Sequence, residues 1–237
     1  MRYTESMRLL TAALVFTAIS SAAPPSLGDL EKLRDHQDRA ALEKSGAELE
    51  AAAAGSPNDA AGWYRAAVAQ SYLAEVATEV RDKPAAQRAA EQGIKDAEQA
   101  VALNPKSGEY YRLLGTLYGE VIPNNPIMGA LVYGKRAKEA LDKALELDPK
   151  SAKVWIAHGV GYYYLPTNMG GGPEGAIKDY KQAIALDPKS SEAWLWMGIA
   201  LKRQHQNAQA REALTKSLQL DPDRIWTKDQ LEKTPPQ

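Results

Sequence analysis

The apolar positions of this chain fall into short helical patterns that proline cuts at intervals. Before Pro222, Trp194, Met197, Gly198 and Leu201 recur at steps of three and four, and Ala210, Leu214 and Ser217 do so again after a break. That spacing lines each set along one face of an α-helix. The two sets therefore predict two paired helices. Gly198 and Ala210 are small enough for the pair to approach closely, while Trp194 and Leu214 fill the space beside them. Pro222 cannot sit inside a helix, so it sets the break to the next element.

The same set returns upstream three times. It reads Trp155, His158, Gly159, Tyr162, Ala176, Tyr180, Ala183 and Pro188, then Tyr111, Leu114, Gly115, Tyr118, Ala137, Leu141, Ala144 and Pro149. A worn copy has Trp63, Ala66, Ala67, Gly93, Ala97, Ala100 and Pro105, and Leu49, Ala52 and Pro57 suggest a degenerate hairpin before it. Good N-caps follow the turns, as in Pro149-Lys150-Ser151 and Pro188-Lys189-Ser190. The pattern resembles the tetratricopeptide repeat, a helix–turn–helix unit of about 34 residues. The resemblance implies an all-α fold, a right-handed α-solenoid of stacked antiparallel helix hairpins. Its expected divisions are a signal peptide at 1–23, a degenerate leading hairpin at 24–57, and units at 58–105, 106–149, 150–188 and 189–222, then a capping helix and tail at 223–237.

Measured from Pro57, the proline intervals are 48, 44, 39 and 34 residues. The excess shrinks toward the C-terminus and falls inside the hairpins. In the first unit Ala74 to Arg81 is helix-forming, and Asp82-Lys83-Pro84 offers a cap and a first-turn proline, which predicts longer helices. In the second, Ile122 to Gly129 is expected to be a loop, with Ile127 and Met128 as its apolar content. In the third, Leu165 to Pro173 is another, carrying Met169 and Gly171. All such loops leave the same end of an array, where inserted segments often carry function.

Composition agrees with an all-helical chain: Ala, Leu, Glu, Lys and Gln abound, and there is one Phe. Net charge is −1 and no basic stripe stands out, which argues against a nucleic-acid partner. The N-terminus adds a separate expectation. Arg2 and Arg8 precede an apolar run from Leu9 to Ile19, and Ser20-Ser21-Ala22-Ala23 offers a small-residue cleavage site. That is the layout of a secretory signal, and its run is too short to span a bilayer. The mature protein is expected to be periplasmic or secreted, without stable membrane insertion. The chain has no cysteine, so it has neither disulfides nor the lipid-bearing Cys of a bacterial lipoprotein.

Catalytic signatures are missing: there is no Gly-x-Ser-x-Gly, no His-Glu-x-x-His and no Walker-type phosphate loop. His36, His158 and His205 lie apart without metal-ligand spacing. We therefore expect no enzyme, cofactor or metal, and expect His158 to be a buried histidine satisfied by hydrogen bonds. Gly170-Gly171-Gly172 ahead of a helix could offer amides to an anion, although Glu174 would oppose it and a plain turn is the simpler account.

The repeat resemblance also implies a concave groove lined by the first helix of each unit. Carried over place by place, its lining is Tyr64, Val68 and Tyr72, then Arg112 and Thr116, then Ile156, Val160, Tyr163 and Tyr164, and finally Leu195 and Ile199. This lining is mostly aromatic and aliphatic, unlike the Lys and Asn of carboxylate-clamping members. Side-chain packing alone could equally account for it. The first functional expectation is an exported scaffold that binds an envelope or periplasmic protein through the groove and loops. The second follows from a weaker similarity to exported T-component proteins of TRAP-type transporters, which implies a carrier for a small apolar ligand.

Overall fold

The computed structural model describes residues 24–122 and 126–236, without the side chains of 126–131 and 169, so the expected signal peptide at 1–23 lies outside the described residues. Among these there are eleven α-helices and no strand. They are α1 (Leu27–Asp35), α2 (Arg39–Gly55), α3 (Ala60–Glu79), α4 (Lys83–Leu103), α5 (Gly108–Val121), α6 (Pro126–Leu147), α7 (Ala152–Tyr164), α8 (Pro173–Leu186), α9 (Ser191–Arg203), α10 (Asn207–Leu220) and α11 (Ile225–Glu232). Each odd helix packs on the even helix that follows it, and consecutive odd helices α3, α5, α7 and α9 also touch one another. Those contacts set the odd helices side by side along one wall. The molecule is an all-α helical repeat solenoid.

Local chemistry repeats with the fold. Asp59, Ser107, Ser151 and Ser190 cap α3, α5, α7 and α9, each accepting a hydrogen bond from a backbone amide of the first turn. Capping matters because the opening amides of a helix have no partner within it. A second device recurs beside it. The indole Nε1 of Trp63, Trp155 and Trp194 donates to the carbonyl of Pro57, Pro149 and Pro188 at 3.0, 2.8 and 3.1 Å. Tryptophan and proline thus repeat together because the ring ties each interunit turn to the helix it starts. The small residues also have a visible reason: a Cβ on Gly159 would lie 2.6 Å from the Tyr180 ring, and one on Gly198 2.6 Å from Leu214 Cγ.

One boundary is corrected. Ile127 and Met128 do not lie in a loop, because α6 begins at Pro126. Proline fits the first helical position, where its missing amide costs nothing, and the good helix formers behind it carry the helix back to Pro126. The excess of the second unit therefore lengthens its second helix to 22 residues, against 14 in α8 and in α10. The excess of the first unit likewise goes into helix, 20 residues in α3 and 21 in α4.

Candidate partner-binding groove

The expected lining residues sit on the odd helices, in two populations. Val68, Ile156, Leu195 and Ile199 are buried and serve packing. Tyr64, Tyr72, Arg112, Thr116, Val160 and Tyr163 are half-buried, and Tyr164 is 55% exposed. The stripes do not stop where the repeat pattern stops. On α3 the line Tyr64, Val68, Tyr72 continues at helical spacing through Glu75 and Glu79, and on α5 Arg112 and Thr116 lead to Glu120. The wall is therefore ionic at its centre, beyond the aromatic and aliphatic places that the repeat resemblance names. The signal was present: one more turn of the same stripe reaches these carboxylates. The family's lining places end before them.

Near α3 and α5 the groups are paired. The Tyr64 hydroxyl donates to Glu109 at 2.7 Å, and Arg112 donates to the same carboxylate through Nε and Nη2 at 2.8 and 2.7 Å. Burial alone would raise the Glu109 carboxyl, but the two-pronged Arg112 outweighs it and holds it below its usual range. Burial pushes the Tyr72 hydroxyl up to about 12. Ser71 Oγ donates to Glu120 at 2.9 Å. Burial, reinforced by Glu75, drives the Glu120 carboxyl well above its ordinary value.

The middle of the wall is bridged from both ends of the chain. From α1, Arg34 donates to Asp35 at 2.9 and 2.7 Å, lies 4.8 Å over the Tyr72 ring and comes within 3.9 Å of Glu192 on α9. From the turn before α11, Arg224 donates through Nη2 to Glu75 at 2.6 Å and to Glu79, and through Nη1 to the Arg34 carbonyl at 3.4 Å. Glu79 is pushed up to about 7, first by burial and then by its neighbour Glu75. Sequence reasoning missed this cluster because its members lie up to 190 positions apart.

Toward the C-terminal units the wall becomes aromatic. Tyr163 and Tyr164 meet edge to face at 5.0 Å, Trp196 lies 6.1 and 6.4 Å from them, and Trp226 of α11 lies 5.4 Å from Trp196. Arg203 lies 4.7 Å over the Tyr163 ring, and Glu192 accepts the Trp196 indole hydrogen at 2.8 Å. The segment 165–172 starts from this rim, with a short 3-10 turn at Thr167–Met169. Gly170 and Gly172 take positive φ of 84° and 112°, and a Cβ on Gly171 would lie 2.2 Å from the Leu165 carbonyl oxygen. Their amides donate to Thr167, Pro166 and Tyr162 carbonyls at 3.0, 3.1 and 2.8 Å. No amide of the triplet is left for an anion, so the three glycines build a turn. Of the expected loop residues, Gly171 and Met169 thus stand by the rim in sequence and in backbone, whereas Ile127 and Met128 belong to α6.

His158 is held as expected of a packed histidine: Nδ1 lies 2.8 Å from Asp179 and Nε2 3.4 Å from Asp142. Burial opposes its protonation, but the two carboxylates prevail and raise it above its ordinary value.

Comparison with known proteins places the chain. The family model described as regulator of microtubule dynamics protein 1-3 matches residues 29–170, more than half of the sequence. The chain belongs to this family. Two tetratricopeptide-repeat models match residues 171–205 and 191–224. No curated protein matches it. Among solved structures, the repeat protein TTC0263 of Thermus thermophilus superposes with a TM-score of 0.61 at 16% identity, over 88% of this chain and 98% of that one. YrrB, described as a repeat protein with an unusual peptide-binding site, reaches 0.44 at 17% identity over 86% and 88%. MamA of Desulfovibrio magneticus RS-1 reaches 0.45 at 17% identity over 84% and 99%. The first of these likenesses supports the fold, and tetratricopeptide repeats are protein-interaction scaffolds as a class.

Proposed function

We propose that the chain is a non-catalytic scaffold, exported to the periplasm or secreted, which holds a segment of an envelope or periplasmic protein against the rim formed by Tyr163, Tyr164 and Trp196. The observation that carries this reading is Tyr164: a large ring, 55% exposed, standing in a cluster of aromatic side chains on the inner wall of a repeat array. An aromatic body with a polar tip suits an interface, where one face is dried and the hydroxyl still finds a partner. The family is described by regulation of microtubule dynamics, and the tetratricopeptide repeats that the chain carries are interaction scaffolds as a class. Export rests on the charged, apolar and small-residue order of residues 1–23. No helix among the described residues is long and apolar enough to cross a membrane. The TRAP similarity behind the carrier reading finds no counterpart in the family to which the chain belongs, and that reading is not pursued.

The test places a photo-crosslinking amino acid at position 164 or at position 135, whose lysine is exposed on α6, and expresses the full chain in its own cells. A discrete crosslinked protein at 164 that is missing at 135 is the expected result. Equal labelling at the two positions, or none at 164, sinks the docking reading. The same sample reports export, since the mature mass should begin near Ala23 or Pro24. A purified chain that retains residues 1–23 overturns that part alone.

A further inference from the structure

The turn before α11 breaks a rule that the other proline turns between units keep. Ser107, Ser151 and Ser190 follow Pro-Lys and cap the next helix, but after Pro222-Asp223 the same place holds Arg224, which makes no capping hydrogen bond. Asparagine, aspartate, serine and threonine are the favoured caps, and giving one up leaves an opening amide of the helix without its partner. Local rules are broken where tertiary demands override them. Arg224 is 2% exposed, and its guanidinium is received by Glu75 and Glu79 of α3 and lies 3.6 Å from Asp35 of α1. The further charged neighbours that act on it are Arg34 on α1 and Glu192 on α9.

We propose that Arg224 is a clasp that closes the array on itself: its guanidinium, seated among the carboxylates of the first two hairpins, fixes the curvature of the solenoid and holds α11 across the C-terminal end of the concave wall. Arg34, reaching from α1 to Glu192 of α9, is the second strut of the same closure. A neutral cap at 224 would serve α11 better, and a buried ion pair gains little stability over well-packed apolar groups. What a fork-shaped cation provides is geometry, because its separate donors reach the Glu75 and Glu79 carboxylates of α3 and the Arg34 carbonyl of α1 at once. The closure continues into the aromatic rim. Arg224 lies 5.5 Å over the Trp226 ring, which covers Trp196, and Trp226 with Leu231 packs against Leu195 and Ile199. Opening the clasp uncovers that surface. The clasp therefore opposes partner access, a consequence that rests on the docking reading above, whereas the closure itself does not.

Because the chain has no cysteine, dyes can be placed cleanly at Leu27→Cys on α1 and Lys233→Cys just past α11. In Arg224→Gln, transfer between the dyes should fall and the maximum dimension from small-angle X-ray scattering should grow, with helical circular dichroism unchanged. Arg224→Lys should recover only part of the transfer, since an ammonium cannot fork. Low-millimolar guanidinium should restore compactness to Arg224→Ala, and the same concentration of sodium should not. Wild-type scattering and transfer in Arg224→Gln overturn the proposal. Should that variant lose its helicity, Glu75→Gln is read instead, with the same two outcomes. None of these readouts needs the partner, so failure of the crosslinking experiment leaves the closure standing, and the reverse holds too.

Discussion

Asp96 shows how far one side chain can depart from its surroundings. It is 1% exposed on α4, receives one hydrogen bond from Gln92 at 3.3 Å, and its other carboxylate oxygen has no hydrogen-bond partner. Burial, followed by the nearby Glu50, pushes it up to about 7. A buried charge without full compensation is destabilising. Asp96→Asn should therefore raise stability at pH 8 by about 1–2 kcal/mol, with a smaller gain at pH 6, where the acid is already protonated. Denaturant melts at the two pH values check this. A loss of stability at pH 8 would mean that the carboxylate is compensated after all. At the same scale, His158 was legible as a packed histidine because it stands where the repeat has leucine, while its partners Asp179 and Asp142 were not, since they come from neighbouring helices.

At the scale of the element, each hairpin is held by a few recurring contacts, and the indole-to-proline bond is the most regular. Trp155→Phe removes the donor to Pro149 together with part of the packed indole. It should cost at least about 1 kcal/mol, the net worth of one hydrogen bond, with the lost packing added to it. Thermal melting of Trp155→Phe beside the same change at Trp63 and Trp194 should give losses of one size. A loss confined to one unit would show that the bond is incidental. Helix lengths were partly legible: the helix-forming excess in the first unit lengthens α3 and α4. Ile127 and Met128 were misplaced because the apolar run after Pro123 looked like loop content, whereas Pro126 is an efficient first helical residue.

The whole molecule responds to pH in one direction near neutrality. Glu79 and Asp96 are raised to about 7, so the folded chain binds more protons than the unfolded chain between roughly pH 4 and 7. Their penalty is complete above that window and disappears as pH falls through it. His158 is also raised, so its stabilisation is present below about 6.5 and lost as pH rises through its folded value. All three terms favour the acidic side. Glu109, held low by Arg112, acts the other way in more acid solution, where its stabilisation is lost as pH falls. Melting temperature should be higher at pH 6 than at pH 8 and drop again below about pH 4.5. A curve that rises steadily from pH 6 to pH 8 would contradict these assignments. The sequence by itself determined the repeat, the pairing of helices and their caps, because each depends on neighbours within about one unit. Only the tertiary structure decided that the odd-helix wall is ionic at its centre, where Arg34 and Arg224 meet the carboxylates of α1, α3 and α9. That outcome depends on curvature, a sum of small interunit rotations, which alone brings Arg224 to Glu79 across 145 positions of sequence.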